Sequence, residues 1–185
     1  MSRSTMIIVG LGGTLRERSY SRAALREALR IAAEHGAHTE ILDLRELNLP
    51  MFVPDYGIED YPAEHRAAIA RLVEGCRRAT AMLWASPTYH GTVSGVFKNA
   101  IDYIELLSDD QPAYLSGKAV GLIAINDSKT FSAMSNSVHE LRAWLAPTHV
   151  QLSKSDFDGD MRLSSERAIR RMTRLINELL HFRSR

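Results

Sequence analysis

The sequence predicts an α/β fold, in which a parallel sheet is covered by helices on both faces. Short runs of branched apolar residues alternate with longer runs of helical period five times along the 185 residues. Alternation of this kind is typical of parallel strands linked by crossover helices. Hydrophobic residues make up 45% of the chain and charged residues 24%, as in an ordinary globular protein. We therefore expect residues 1–185 to form one domain with a full core.

The first half of the chain predicts two strands, two helices and a long loop. Residues 5–11 form a short apolar run that ends in glycines, and residues 21–36 place their apolar side chains on one helical face. Residues 39–44 alternate as a strand should. Proline, glycine and aromatic residues mark 47–62 as a loop, and residues 63–79 resume the helical period.

The second half repeats the pattern. Buried strands are predicted at 80–86 and 118–126, and a weaker strand at 149–153. Helices are predicted at 94–107, 132–146 and 164–182, where apolar residues recur at helical spacing. Parallel sheets bind ligands at the carboxyl ends of their strands, where the strand order reverses. The loops after the first, third and fourth strands are therefore the candidates for a site.

Charge and composition exclude several classes of function. The net charge of +1 gives no reason to expect nucleic acid or an acidic membrane as a partner. The single cysteine, Cys76, excludes an internal disulfide, and its apolar helical position predicts a buried thiol. No stretch is long and apolar enough for a bilayer or a secretory signal, so we expect a cytoplasmic protein. The histidines show no metal-site spacing.

The first candidate loop is GLGGTLRERSYS, residues 10–21. The dinucleotide fingerprint would need glycine or alanine where Leu15 stands, and a nucleotide-triphosphatase loop would need a lysine that the segment lacks. The loop still leads from a strand into a helix N-terminus, where unpaired backbone N–H groups favour an anion.

Hydroxyl and guanidinium groups in this loop fit a phosphomonoester. Thr14, Ser19 and Ser21 can donate to phosphate oxygens, and Arg16 adds a charge-assisted hydrogen bond. The alternative is that Ser19 or Ser21 only caps the helix and that Arg16 is solvated.

The second candidate loop is SPTYHGTVSGVFKNAIDY, residues 86–103. Pro87 ends the third strand, and Tyr89 and His90 follow at its carboxyl end. An aromatic side chain beside accessible backbone N–H groups suits a flat heteroaromatic ring, and those N–H groups are expected at Gly91, Ser94 and Gly95. Alternatively, Tyr89 packs beneath the loop.

A serine-hydrolase elbow is the competing interpretation of the same segment. It requires Gly-x-Ser-x-Gly, but Thr92 stands two residues before Ser94. The hydrolase pattern is therefore absent.

Together the two loops resemble those of the NADPH-dependent FMN reductase family, which has the flavodoxin-like fold. Gly13-Thr14-Leu15-Arg16-Glu17-Arg18-Ser19 is similar to that family's Gly-Ser-x-Arg-x-x-Ser loop. Pro87-Thr88-Tyr89-His90, followed by Gly95, Lys98, Asn99 and Asp102, is similar to its second motif, and LNLPMF resembles its Leu-Pro-x-Phe loop. The resemblance implies a three-layer sandwich with a five-stranded parallel sheet in the order 2-1-3-4-5.

The resemblance also implies roles for individual residues. The phosphate of FMN would be surrounded by Thr14, Arg16, Ser19, Tyr20 and Ser21. Its isoalloxazine ring would be lined by Pro87, Thr88, Tyr89 and His90, with the backbone of Gly91 beside them. Structural roles at the start of the next helix are implied for Lys98, Asn99 and Asp102.

The chain departs from the family pattern at two places. Thr14 replaces a serine and keeps the hydroxyl. After the fourth strand, Asn126-Asp127-Ser128 replaces a Gly-Gly pair, which would place Asn126 and Asp127 near the pyrimidine edge of the flavin. Asp127 either faces the ring or caps the following helix.

The implied function is NAD(P)H-dependent reduction of FMN, with hydride passing from NADPH or NADH to the flavin and electrons passing on to a second flavin or another acceptor. No residue of the chain is assigned as catalytic and no metal is expected. The alternatives are a quinone, azo or chromate reductase that retains FMN, and a flavodoxin-like electron carrier. A homodimer or homotetramer is implied, and a flavin-dependent monooxygenase is a possible partner.

Overall fold

The computed structural model describes residues 6–182 and contains a five-stranded sheet with the order β2-β1-β3-β4-β5. All four strand pairings are parallel. The strands are β1 Ile7–Gly12, β2 His38–Asp43, β3 Ala81–Pro87, β4 Ala119–Ile125 and β5 Trp144–Leu152. The predicted fold class and strand order are confirmed. Thr5, included in the first predicted strand, lies outside the described residues.

Helices cover both faces of the sheet and complete three layers. They are α1 Tyr20–Glu34, α2 Leu44–Leu47, α3 Ala63–Arg78, α4 Gly95–Asp102, α5 Lys129–Glu140 and α6 Glu166–His181. Apolar side chains of α1 and α6 pack on one face, and those of α3, α4 and α5 pack on the other. A 3-10 turn at Tyr103–Leu107 continues α4, so the predicted helix at 94–107 has two parts.

The middle strand shows why the apolar runs lack strict alternation. Every residue of β3 is buried, because both of its faces are covered by helices. Met82 and Trp84 join the cluster under α3, α4 and α5, whereas Leu83 and Ala85 join the cluster under α1 and α6.

The predicted helix at 132–146 is wrong after Glu140. Leu145 stands four residues after Leu141, which imitates a helical face, but Leu145 lies in β5. The chain leaves the helix through Arg142, whose φ of 60° is left-handed, and the Trp144 N–H then donates to the carbonyl of Lys118 at 2.8 Å. Pairing with β4 therefore outweighs the local helical period, and β5 begins five residues earlier than predicted.

Cys76 is fully buried, as predicted. Burial raises the pKa of its thiol to about 12, so the side chain stays protonated. Within residues 6–182, no helix is long and apolar enough to cross a bilayer, and no cluster of three potential metal-binding side chains occurs.

The strand order places the three candidate loops at one edge of the sheet. From β1, the chain moves to β2 on one side and later returns to β3 on the other, so the order reverses between β1 and β3. The loops after β1 and β3 therefore leave the same edge side by side, with the loop after β4 next to them.

Candidate functional site

Two glycines allow the first loop to lie directly against β3. The Gly13 N–H donates to the Ala85 carbonyl at 3.2 Å, and a Cβ at Gly12 would lie 2.2 Å from that same carbonyl oxygen. Gly13 has a φ of 100°, which side-chain-bearing residues rarely adopt. Glycine at both positions therefore lets the loop turn close to the neighbouring strand.

The three hydroxyl side chains predicted to hold an anion are buried together in this loop. Thr14, Ser19 and Ser21 are 5%, 6% and 2% exposed. The Ser19 and Ser21 hydroxyl oxygens lie 3.0 Å apart, and Thr14 Oγ1 accepts from the N–H of Arg16 at 3.1 Å. Ser19 is also the N-cap of α1, because its Oγ accepts from the Arg22 N–H at 3.3 Å. Ser19 therefore caps α1 and also lies within hydrogen-bonding distance of Ser21.

Arg22, which was not among the predicted site residues, holds the loop in shape. Its guanidinium donates to the carbonyls of Glu17 at 2.8 Å, Arg16 at 3.0 Å and Thr14 at 3.2 Å. Its Nε lies 2.5 Å from Asp43 Oδ2, and the Asp43 side chain is only 1% exposed. One buried ion pair thus ties the first loop to the end of β2.

A signal for this pair was present in the sequence. A cation in the first turn of a helix is unfavourable beside the positive end of the helix dipole, so Arg22 is expected to have an anionic partner. Asp43 directly follows two apolar residues at the end of the predicted second strand, and the register places it opposite Gly12. Its Oδ1 also caps α2 by accepting from the Arg45 N–H at 3.0 Å.

Tyr20 was predicted beside the anion, and its ring packs in an apolar cluster. The ring packs on Phe157 with centroids 5.0 Å apart, in the apolar cluster of α1 and α6. Its backbone N–H belongs to the first turn of α1, where no intrahelical acceptor exists. Tyr20 can therefore serve the loop through its backbone.

The second loop is a tight turn with Tyr89 exposed beside it. His90 and Gly91 have φ of 51° and 85°, as type I′ turns require at both central positions. Tyr89 and Thr92 exchange backbone hydrogen bonds of 2.9 and 3.1 Å across the turn. Tyr89 is 37% exposed, so its ring is not packed beneath the loop.

Arg16 and Tyr89 bring the two loops together. The Arg16 guanidinium carbon lies 5.9 Å from the centroid of the Tyr89 ring, within the range of a cation–π contact. Residues 73 positions apart in the sequence therefore form one surface at the carboxyl edge of the sheet.

The backbone beyond the turn differs from expectation at one residue. The Ser94 N–H donates to Ser86 Oγ at 3.1 Å, so the prediction that this N–H is accessible to a ligand is wrong. Ser94 instead caps α4 by accepting from the Phe97 N–H. A Cβ built at Gly91 or Gly95 would meet no atom within 4 Å, so both glycines border open space.

Thr88 connects the second loop to the loop after β4. Pro87 is buried as the last residue of β3, and Thr88 Oγ1 then donates to the Asp127 carbonyl at 2.9 Å and contacts Thr130 Oγ1. The three loops at this edge are thus linked by contacts between their own residues.

Asp127 turns its carboxylate toward α5. Its Oδ1 accepts from the Lys129 N–H at 2.9 Å, and its Oδ2 lies 3.8 Å from Lys129 Nζ. Asn126 before it has a φ of 76°, and its N–H donates to the Leu152 carbonyl. This geometry favours the capping interpretation of Asp127.

Asn99, one of the three residues expected to be structural, holds the long loop in place. Asn99 accepts from the Phe52 N–H and donates to the Pro50 carbonyl, both at 2.8 Å. Lys98 and Asp102 form an ion pair along α4. The loop before α3 is therefore fastened to the helix that follows the second site loop.

Comparison with known sequences gives one consistent result. The model of the family described as NADPH-dependent FMN reductase matches residues 6–156. The chain is 30% identical over 184 residues to the NADPH-dependent FMN reductase ArsH of Shigella flexneri, covering 95% of this chain and 68% of that protein. It is 28% identical over 157 residues to the FMN-dependent NADPH-azoreductase of Staphylococcus saprophyticus, covering 80% of each.

Solved structures show the same fold at low sequence identity. The flavoenzyme NAD(P)H:(acceptor) oxidoreductase FerB of Paracoccus denitrificans superposes with a TM-score of 0.71 at 19% identity, covering 96% of each chain. RosB, solved with a bound flavin intermediate, superposes with a TM-score of 0.72 at 16% identity, covering 96% of this chain and 78% of RosB. An archaeal flavodoxin gives 0.59 at 10% identity, covering 96% of this chain and all of the flavodoxin. The fold is flavodoxin-like.

Proposed function

Because the chain belongs to the NADPH-dependent FMN reductase family and is an NAD(P)H:FMN oxidoreductase, we propose that FMN binds across the loops after β1, β3 and β4. The phosphate lies in residues 14–21 and the ring lies against residues 87–91. The observation that supports this placement most strongly is the contact of Arg16 with Tyr89, which joins the two loops into one surface.

The first loop suits a phosphate dianion. Three buried hydroxyls lie near the N-terminus of a 15-residue helix, whose partial positive charge favours an anion. Arg16 is exposed, and its guanidinium can turn from Tyr89 to the phosphate. A charge-assisted hydrogen bond of this kind contributes about 1.5–3 kcal/mol.

The second loop suits a flat ring. The open side of Gly91 lets the ring approach the backbone, and the exposed Tyr89 ring offers a stacking face. Thr88 keeps this loop aligned with Asp127 and therefore with the loop after β4. Asn126 and Asp127 border the ring from that loop through their backbone.

Bound FMN supplies the chemistry, because its ring accepts hydride from the nicotinamide and releases electrons to an acceptor. The residues of the chain bind and orient: the first loop fixes the phosphate end, and the turn at residues 89–92 fixes the position of the ring edge. No side chain is required to move a proton, so no residue is assigned as catalytic.

The electron acceptor is proposed to be a second flavin, which could serve a monooxygenase. The similarity to the staphylococcal azoreductase favours azo compounds as an alternative acceptor. Two measurements on the purified protein test both acceptors. Its visible spectrum shows whether FMN is retained, and NADPH oxidation is measured with added FMN and with an azo dye. Dependence on added FMN supports the flavin-reductase role. An active protein that keeps its flavin and reduces the dye supports the alternative.

Replacing Asp127 with asparagine is expected to leave the midpoint potential of bound FMN unchanged within error. The carboxylate points to the Lys129 N–H, and an asparagine side-chain oxygen can accept the same hydrogen bond. Spectroelectrochemical titration of both proteins checks this result. A rise of tens of millivolts in the variant would show that the carboxylate acts on the ring.

A homodimer or homotetramer is expected in solution. The loop before α3 exposes apolar side chains, with Met51 75%, Tyr56 42% and Val53 37% exposed. Covering them with a second copy would remove this surface from water. Light scattering at micromolar concentration checks the mass. A double Met51→Glu, Val53→Glu variant should shift it toward the monomer, whereas a strictly monomeric wild-type protein would contradict the expectation.

A further inference from the structure

A second cavity lies beside β5, outside the cleft proposed for FMN. It has a volume of about 510 Å³, within the usual range of small-molecule sites. Residues of β5, of α5 and of the first turns of α6 form its wall. The side chains that matter here are Phe131, His149, Gln151, Asp156, Arg167 and Arg171.

Two arginines of this cavity differ from their neighbours on α6. Arg170 pairs with Glu166 at 3.1 Å and Arg174 pairs with Glu178 at 3.3 Å. In the part of the chain that the structure describes, neither Arg167 nor Arg171 has a carboxylate within 4.0 Å. The two are one helical turn apart, so they face the cavity together.

Arg171 is held in position by the strand beside it. Its Nε donates to the His149 carbonyl at 2.6 Å, which leaves the other guanidinium nitrogens for a ligand. Two neighbouring cations repel each other, and an anion of two charges placed between them would satisfy both. Asp156, the carboxylate that lines the cavity, accepts from the Ser153 N–H at 2.8 Å and from Ser153 Oγ at 3.0 Å. Against the opposing effect of burial, those two bonds and then the charge of Arg167 lower the pKa of Asp156, so Asp156 compensates part of the charge of Arg167.

Two aromatic side chains also line the cavity. The Phe131 and His149 rings lie 4.9 Å apart at an angle of 37°. Burial, and then the charge of Arg171, lower the pKa of His149 against the opposing effect of Glu178, and the lowered pKa favours the neutral imidazole. A neutral aromatic pair offers a surface for a heterocyclic base without repelling it.

The cavity lies next to the loop after β4, because a residue of its lining bonds to that loop. Gln151 Nε2 donates to the Asn126 carbonyl at 3.3 Å, and Asn126 belongs to the loop after β4. Neighbouring strands are about 4.8 Å apart, so the distance from the end of β3 to β5 is roughly 10 Å. An extended dinucleotide is longer than this distance and can reach from one site to the other.

We propose that this cavity binds the 2′-phosphoadenosine end of NADPH. The 2′-phosphate lies between Arg167 and Arg171, and the adenine lies against Phe131 and His149. The nicotinamide end then reaches the loops after β3 and β4. The inference rests on the proposed function, and it makes the two arginines the residues that distinguish NADPH from NADH.

Binding of a fragment tests the cavity independently of catalysis. Adenosine 2′,5′-bisphosphate and ADP are titrated calorimetrically into the full chain. The wild-type protein should bind the bisphosphate at least tenfold more tightly than ADP. The double variant Arg167→Gln, Arg171→Gln should lose this difference, and the glutamine at position 171 keeps a donor for the His149 carbonyl. Arg170→Gln, an exposed arginine of the same helix outside the cavity, is the matched control and should behave as wild type.

Steady-state kinetics separates this inference from the proposed function. In the double variant, the KM for NADPH should rise at least tenfold, while the KM for NADH, the kcat and the FMN affinity stay within twofold. The cavity assignment would be overturned if the ratio of the KM for NADPH to the KM for NADH were the same in the double variant as in the wild type, and if the wild type did not prefer the bisphosphate to ADP. In that case NADPH oxidation by the wild type would leave the proposed function intact. A wild-type protein that oxidises neither nucleotide would overturn the proposed function, and a lack of bisphosphate preference in that protein would overturn this inference as well.

Discussion

Replacing Arg16 and Ser19 together with alanine is expected to weaken FMN binding by about 10²–10⁴-fold. Each residue is assigned one hydrogen bond to the phosphate dianion, and each such bond contributes about 1.5–3 kcal/mol. Riboflavin lacks the phosphate, so its affinity should fall by no more than about fivefold. That smaller loss corresponds to the contact of Arg16 with Tyr89, worth about 0.5–1 kcal/mol at an exposed site. Fluorescence titration of both flavins measures the two dissociation constants.

Two controls make this comparison specific. Arg18→Ala removes another exposed arginine of the same loop, whose guanidinium donates to the Gly159 carbonyl, and should leave FMN affinity unchanged. Ser19 also caps α1, so its replacement should lower the free energy of unfolding by about 1 kcal/mol. Melting curves without flavin confirm that the double variant is folded. Equal losses of FMN and riboflavin affinity would rule out residues 14–21 as the phosphate site.

Replacing Asp43 with asparagine is expected to lower the free energy of unfolding by about 3–5 kcal/mol. The substitution leaves the Arg22 guanidinium, whose side chain is 12% exposed, without its buried counter-charge. Because Arg22 also binds three carbonyls of the first loop, FMN affinity should fall as well. Urea denaturation of the flavin-free protein gives the stability, and flavin titration gives the affinity.

A double-mutant cycle separates the ion pair from other effects of the substitution. Arg22→Met and the double variant Arg22→Met, Asp43→Asn complete the cycle. The double variant should be destabilised by less than the sum of the single variants, since neither charge is then left alone. Glu46→Gln, which removes an exposed carboxylate of α2, is the matched control. A loss of less than 1 kcal/mol for Asp43→Asn would show that the pair does not hold the loop.

The order of the elements could be predicted from the sequence because buried strands and amphipathic helices differ in period. The boundary between α5 and β5 could not, because Leu141 and Leu145 keep a helical spacing across a break that pairing with β4 imposes. Local periodicity carries no information about which backbone groups find partners in the neighbouring strand.

In the candidate site, too, some features could be predicted from the sequence and others depend on how the strands pair. The placement of Thr14, Ser19 and Tyr89 at the carboxyl edge of the sheet could be predicted from the sequence, because all three follow predicted strands; their role in binding FMN stays a prediction. The position of Arg22 in the first turn of α1 indicates that it needs a partner, but the identity of that partner, Asp43, depends on the register that sets Gly12 beside Asp43. The sequence also left two roles open for Asp127, and only the direction of its carboxylate favours one of them.

The central claim is that NADPH reduces FMN held by these three loops. It is tested most directly by mixing the FMN-loaded protein with NADPH in the absence of oxygen and following the visible absorbance of the flavin. We expect the absorbance to be lost in proportion to the NADPH added and to return when air is admitted. If the absorbance stays unchanged with NADPH while dithionite removes it, the chain holds a reducible flavin that NADPH does not reduce, and the claim is contradicted.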